Sequence, residues 1–198
     1  MTRIYVERES HTTDARLFVP TVQMRDDTQV IAGANQPLVV RQDTVQSVID
    51  GIVFYVFQMR PSTNPLDAGG SIEFLITTAV DRPVGVGFVA QCGGDAEVYV
   101  YENVTNVVGG TLTVPFNRNR ASTNTAVTGV LLNPSSYTLG PLIYSDLILG
   151  GSGGNAAGAT AQSDYAVLAA NKSYLFRLTN TINQANVAEL MVQWIENG

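Results

Sequence analysis

From Gly51 onward, apolar and polar residues alternate with a period of two over most of the chain. That period puts successive side chains on opposite faces of an extended strand. "SIEFLITTA" sets Ile72, Phe74 and Ile76 on one face and Glu73 on the other, where a solvated carboxylate belongs. "AEVYVYE" sets Val98 and Val100 against Tyr99 and Tyr101. "TLTVPF" aligns Leu112, Val114 and Phe116, and the last strand aligns Leu190, Val192 and Trp194. "GIVFYVFQMR" is continuously apolar, the pattern of a strand buried on both faces. "VGVGFVA", "TAVTGVLL", "YTLGPLIYS" and "SDYAVLAA" read as weaker strands. Gly109-Gly110 is a hairpin signal, and "SYLFRLTN" with "AELMVQWIE" is expected to close the chain as a hairpin across "TINQAN". Only "DTVQSVID" has room for one or two helical turns. About ten short strands at even spacing predict an all-β fold, an antiparallel β-sandwich of jelly-roll type.

Residues 1–45 break this pattern. "RLFVPTVQM" and "QVIAGANQPLVV" are apolar but interrupted by Pro or Gly, as edge strands are. The reading is an extended, partner-binding N-terminal arm over 1–45 and a sandwich domain over 46–198. Leu17, Phe18 and Val19 are the arm's candidate apolar anchors. "LGGSGGNAAGATAQSD", from Leu149 to Asp164, is too small-sided to order itself by burial.

Composition narrows the function classes. Charged residues are 14% of the chain, against the usual quarter, so much surface is either neutral-polar or covered by copies and partners. The net charge of −6 argues against nucleic acid as a ligand, which needs clustered cations. No apolar run is long enough for a membrane-spanning helix, and the N-terminus shows no secretory h-region, so the expectation is a soluble protein made in the cytosol. The single cysteine, Cys92, reads as a small buried hydrophobe.

Catalytic chemistry finds little to work with. The one histidine, His11, lies in the arm, away from any rigid nucleophile, and one Cys with one His cannot build a zinc site. Paired carboxylates are the strongest enzyme candidate, because glycosidases use two. The candidates are Glu97 with Glu102 and Glu73 with Asp95, but the first two stand at opposite ends of one strand, ~16 Å apart at ~3.3 Å per residue, and Glu73 alternates outward as a solvated residue does. "DDTQ" and "GGDAE" lack calcium-loop spacing, and "GGSGGNAAG" lacks the Lys of a phosphate loop. No cofactor is expected. Tyr99 and Tyr101, on one strand face, with Tyr137, Tyr144 and Tyr165 in later loops or strands, offer an aromatic platform for sugars, though tyrosine is also a common strand former.

One stretch resists the core pattern. In "FNRNRASTNTAV", an inward Phe116 would send Arg118 and Arg120 the same way, and unpaired guanidiniums cannot enter an apolar core. Either the strand leaves the core by Arg118, or the arginines meet acceptors at a boundary. Asn117 and Asn119 can hold turns through side-chain-to-backbone bonds.

Several motifs together resemble a group of tailed-bacteriophage virion proteins. They are the strand ending Val100-Tyr101-Glu102; Asn117-Arg118-Asn119-Arg120 with Ser122 and Asn124; Lys172, Tyr174, Leu175, Arg177, Thr179 and Asn180; and Trp194 with Glu196. The resemblance covers residues 70–198. It implies a head decoration or auxiliary capsid protein that binds the major capsid protein. Such a protein would self-associate, with a homotrimer expected, and sit on the virion surface after assembly in the host cytoplasm. Asn117, Arg118, Asn119 and Arg120 are then candidate oligomer or capsid contacts, the arginines pairing with carboxylates of a neighbouring copy. The runner-up is a tail or fibre-tip module holding host glycans on its tyrosines, and a carboxylate glycosidase ranks third.

Overall fold

The computed structural model describes residues 21–23, 29–31, 43–150, 159–162 and 166–196. The chain forms two compact units, Met1–Gln42 and Asp43–Gly198. In the first, β1 (Thr21–Gln23) pairs antiparallel with β2 (Gln29–Ile31), Val22 opposite Val30. Both strands fall in the two segments read as interrupted strands. Leu17, Phe18 and Val19 lie outside the described residues.

The second unit opens with α1 (Asp43–Ile49), the short helix read from "DTVQSVID". Strands follow as β3 (Val53–Arg60), β4 (Ser71–Thr77), β5 (Val84–Cys92), β6 (Ala96–Glu102), β7 (Thr105–Val108), β8 (Thr111–Leu112) and β9 (Phe116–Asn117). Then come β10 (Gly129–Leu132), β11 (Ser136–Thr138), β12 (Leu142–Ile148), β13 (Ala159–Gln162), β14 (Ala166–Leu168), β15 (Ser173–Asn180) and β16 (Ala188–Glu196). One sheet runs β12-β6-β15-β4-β10-β8, and the other runs β13-β5-β16-β3-β9 with β14 also on β5. All pairings are antiparallel. The inner parts of these orders, β4-β15-β6-β12 against β3-β16-β5-β13/β14, are the two four-stranded sheets of a jelly roll. The sequence-predicted sandwich is therefore present.

The core lies between the sheets. Ile72, Phe74 and Ile76 of β4, Phe176 and Leu178 of β15, and Val98 and Val100 of β6 face Leu190, Val192 and Trp194 of β16 and Phe54 and Val56 of β3. Cys92 is buried there as a free thiol. Trp194, fully buried, donates its indole N–H to Glu196 Oε1 at 2.9 Å. Glu196 also receives the backbone N–H groups of Val127 and Thr128 at 3.0 Å each, which fastens that loop to the end of the sandwich.

Two expected hairpins are not formed. β15 lies between β4 and β6, while β16 lies between β3 and β5, so the last connection crosses from one sheet to the other. Each of these long strands fills the centre of its own sheet, and pairing them would empty both centres. Asn180 holds the crossing loop, its buried amide donating to the carbonyls of Leu66, Asp67 and Gln184. Likewise Gly109 and Gly110, at φ +67° and +90°, turn the chain without pairing its flanks. β7 pairs with β11, and β8 pairs with β10.

β3 is buried on both faces only in its first half. Val53, Phe54 and Val56 are in the core, but Phe57 and Met59 are exposed. Between β6 and β12, residues 103–141 form one long insertion carrying β7 to β11. It supplies the site described next. Among the described residues no helix is long and apolar enough to cross a membrane.

Candidate functional site

The Asn-Arg element lies in the insertion, where β9 joins β3 at the sheet edge. Its parity is the reverse of an inward Phe116. Asn117 is buried and Phe116 is 43% exposed. The reason is the neighbouring end of α1. A helix C-terminus leaves carbonyls without partners, and the turn after it passes through Gly51 at φ +71°. Asn117 Nδ2 donates to Gly51 O at 2.8 Å and to Asn124 O at 3.2 Å. Asn119 Nδ2 donates to Ile49 O at 2.8 Å, and Asn124 Nδ2 to Asp50 O at 3.2 Å. The loop also locks itself. Asn117 Oδ1 accepts the Asn119 N–H, Asn119 Oδ1 the Ala121 N–H, and Ser122 Oγ the Asn124 N–H. Burying the amides is therefore worth more than burying Phe116. The sequence-predicted turn-holding role of Asn117 and Asn119 is what the geometry shows.

The arginines face outward with Phe116's sheet surface beside them. Arg118 Nη1 donates to Gln193 Oε1 at 2.8 Å, and the Arg120 guanidinium sits 5.9 Å from the Phe116 ring centroid. Of the described residues, none supplies a carboxylate to either.

Phe116 joins an aromatic cluster on the outer face of the β3–β16 sheet. The Tyr55, Phe57 and Phe116 rings stand 5.6–6.2 Å apart in all three pairs. Phe57 is 49%, Met59 57% and Val114 78% exposed. The register places Glu189 beside Met59 and Gln193 beside Tyr55 on the same face. A cleft of about 290 Å³ lies at the Met59 end, lined by Met59, Arg60, Cys92 and Glu189 among others. Arg60 Nε, buried, has no hydrogen-bond partner among the described residues.

The opposite sheet carries a polar cluster that the strand pattern concealed. Glu73 is not solvated but 8% exposed. Its Oε1 accepts Arg177 Nε at 2.7 Å and the Tyr137 hydroxyl at 2.6 Å. Arg177 Nη2 also donates to the Tyr137 hydroxyl. The guanidinium lies 5.5 Å from each of the Tyr101 and Tyr137 ring centroids. Glu73 is covered because the β7–β11 ribbon packs on this face, placing Val104, Val107 and Tyr137 over Leu75 and Leu175. Burial, then the hydrogen bond and the negative charge of Glu73, push the Tyr137 hydroxyl up to about 12. The signal in the sequence was Arg177 at the outward parity of β15, directly across from Glu73.

Chemically these groups hold the fold. Tyr99 donates to Glu97 Oε2 at 2.6 Å, and Asp95 Oδ1 accepts the Gly150 N–H at 2.9 Å. Glu97 and Glu102 sit at the two ends of β6. Among the described residues no three of His, Cys, Asp and Glu gather to hold a metal ion. The motif residues Asn117, Asn119, Ser122, Asn124, Arg177, Asn180 and Glu196 are all internal fasteners.

No family model matches the chain, and no curated protein or solved structure matches it.

Proposed function

We propose that the chain is a structural subunit of a bacteriophage virion, binding a capsid surface non-covalently and working by adhesion. Its partner is the major capsid protein, and its working form is a homotrimer, in which weak contacts multiply through avidity. The observation that carries this reading is the uncovered aromatic face of Tyr55, Phe57 and Phe116 on a jelly roll. Apolar surface of that kind, contiguous and left in water, marks an interaction site. Jelly rolls serve viral capsids, lectins and cupins alike, so the fold narrows the class without choosing within it. The resemblance over residues 70–198 and the low charge fraction favour the capsid member of that set.

The glycan-binding alternative relies on Tyr99 and Tyr101, whose rings are 6.0 Å apart. Tyr101 already packs against Arg177, and the Tyr99 hydroxyl is already bonded to Glu97. A sugar platform needs free ring faces and polar groups, so this reading ranks second.

The test is to add purified protein to heads assembled without it and sediment them. Saturable, stoichiometric binding that raises the heads' resistance to heat supports the proposal. Absence of binding, combined with retention on a host-glycan array, would replace it with the tail-module reading.

A further inference from the structure

The cleft at the Met59 end has a chemistry of its own. It lies where β3, β16 and β5 run side by side, with Met59, Glu189 and Gln91 in one cross-strand row and Arg60, Ala188 and Cys92 in the next. Gly93 also lines it, and a Cβ there would lie 3.0 Å from Val187 Cγ2, so glycine leaves space that a side chain would crowd. The volume of about 290 Å³ stands at the small end of the ~300–1,000 Å³ of ligand pockets.

Two opposite charges line this cleft, and the described fold uses neither. Arg60 closes β3 with its Nε–H buried and without an acceptor among the described residues. A guanidinium N–H taken out of water without an acceptor loses its hydration and gains nothing in exchange. Glu189, half-buried, forms no ion pair with Arg60 or with any other described residue. Arg60 therefore calls for an acceptor and Glu189 for a donor. Met59 and Val187, both exposed, give the cleft an apolar wall.

We infer that this cleft binds a small zwitterion, an α-amino acid with an apolar side chain, its carboxylate on Arg60 and its ammonium on Glu189. The guanidinium presents the fork of donors that a carboxylate matches. Glu189 supplies the counter-charge for the ammonium and repels a ligand that carries a carboxylate alone. Met59 and Val187 receive the side chain. A few placed polar groups on an apolar wall are what fix a small ligand's orientation. The inference concerns a ligand in solution and rests on no part of the adhesive reading, and its test contains no capsid.

Isothermal titration calorimetry of the full chain with leucine reads the outcome. Two analogues accompany it: isocaproate, which lacks the amine, and isopentylamine, which lacks the carboxylate. Leucine should bind saturably at millimolar concentration, and each single-charge analogue about tenfold or more weakly. Arg60→Met keeps an unbranched chain and should abolish binding. It should leave the urea midpoint unchanged or raised, because no described residue accepts from the Nε–H that it removes. Glu189→Gln should erase the preference for leucine over isocaproate. No saturable binding of leucine would overturn the inference, as would binding that survives Arg60→Met. Equal binding of leucine and isocaproate to wild type would make this a site for any carboxylate and equally overturn it. An Arg60→Met chain with a lowered urea midpoint would make Arg60 a fastener of the fold, with the same result.

Discussion

Arg177→Met tests how the insertion is held to the sandwich. The change keeps an unbranched apolar chain between the Tyr101 and Tyr137 rings and removes only the guanidinium. Glu73 then loses its 2.7 Å ion pair and keeps one donor, the Tyr137 hydroxyl. Breaking a fully buried ion pair from one side costs ~3–5 kcal/mol. Here the side chains of Arg177 and Glu73 are 19% and 11% exposed, so water recovers part of that. A cost of ~2–3 kcal/mol is expected after that discount. Glu73→Gln should cost ~1–2 kcal/mol, because an amide still accepts a hydrogen bond but leaves the guanidinium unpaired. The double variant leaves neither charge stranded and should cost less than the two singles together, by ~1–2 kcal/mol. Urea unfolding at neutral pH measures all four proteins, with unchanged slopes as the condition for comparing midpoints. Single costs that sum to the double within ~0.5 kcal/mol would refute the coupling.

Other outcomes follow from the same geometry. Asn117→Ala strips two donors from the carbonyls of Gly51 and Asn124 in a buried position, and should lower stability by ~1–3 kcal/mol in urea. Arg118→Ala, at the neighbouring exposed position, should stay within ~0.5 kcal/mol in the same assay. Glu196→Ala orphans the Trp194 indole and two backbone N–H groups, so ~3 kcal/mol should be lost, along with the native tryptophan fluorescence. The Tyr137 hydroxyl is held up to about 12 in the folded protein, against about 10 unfolded. Between those values the unfolded chain releases the proton and the folded one keeps it, so stability is intact below pH ~10 and falls as pH rises to ~12. The fall should be ~1 kcal/mol, less than the full two-unit linkage because the tyrosine retains contact with water. It should vanish in Tyr137→Phe.

The strand periodicity carried most of the fold. Ile72, Phe74 and Ile76, or Leu190, Val192 and Trp194, face the core as their alternation says. Where the reading failed, the cause was long-range. A loop such as "TINQAN" looks the same whether it joins partners in one sheet or crosses between two. Only the competition for the central places in each sheet decides, and no local pattern records it. Glu73 has the parity of a surface residue, and on the bare sheet it would be one. It is buried by a ribbon 31 to 64 residues further along the chain, Val104 to Tyr137. The strand pattern left open whether Phe116 points inward. The orphan carbonyls at the end of α1 outbid it for the buried position and took Asn117. Phe57 and Met59 lie in a run that looks wholly buried, yet the structure leaves both exposed. That disagreement between pattern and exposure is what directs the proposed function to this face. Motif residues behind the phage resemblance, among them Asn117, Asn180 and Glu196, hold loops and strand ends in this fold.

The most direct test of the whole account is electron cryo-microscopy of intact virions that carry this chain. The account predicts jelly-roll density in regular array on the head, with the Phe57 and Phe116 faces covered by protein. Virions with the chain confined to tail tips, or with that face open to solvent in every copy, would contradict it.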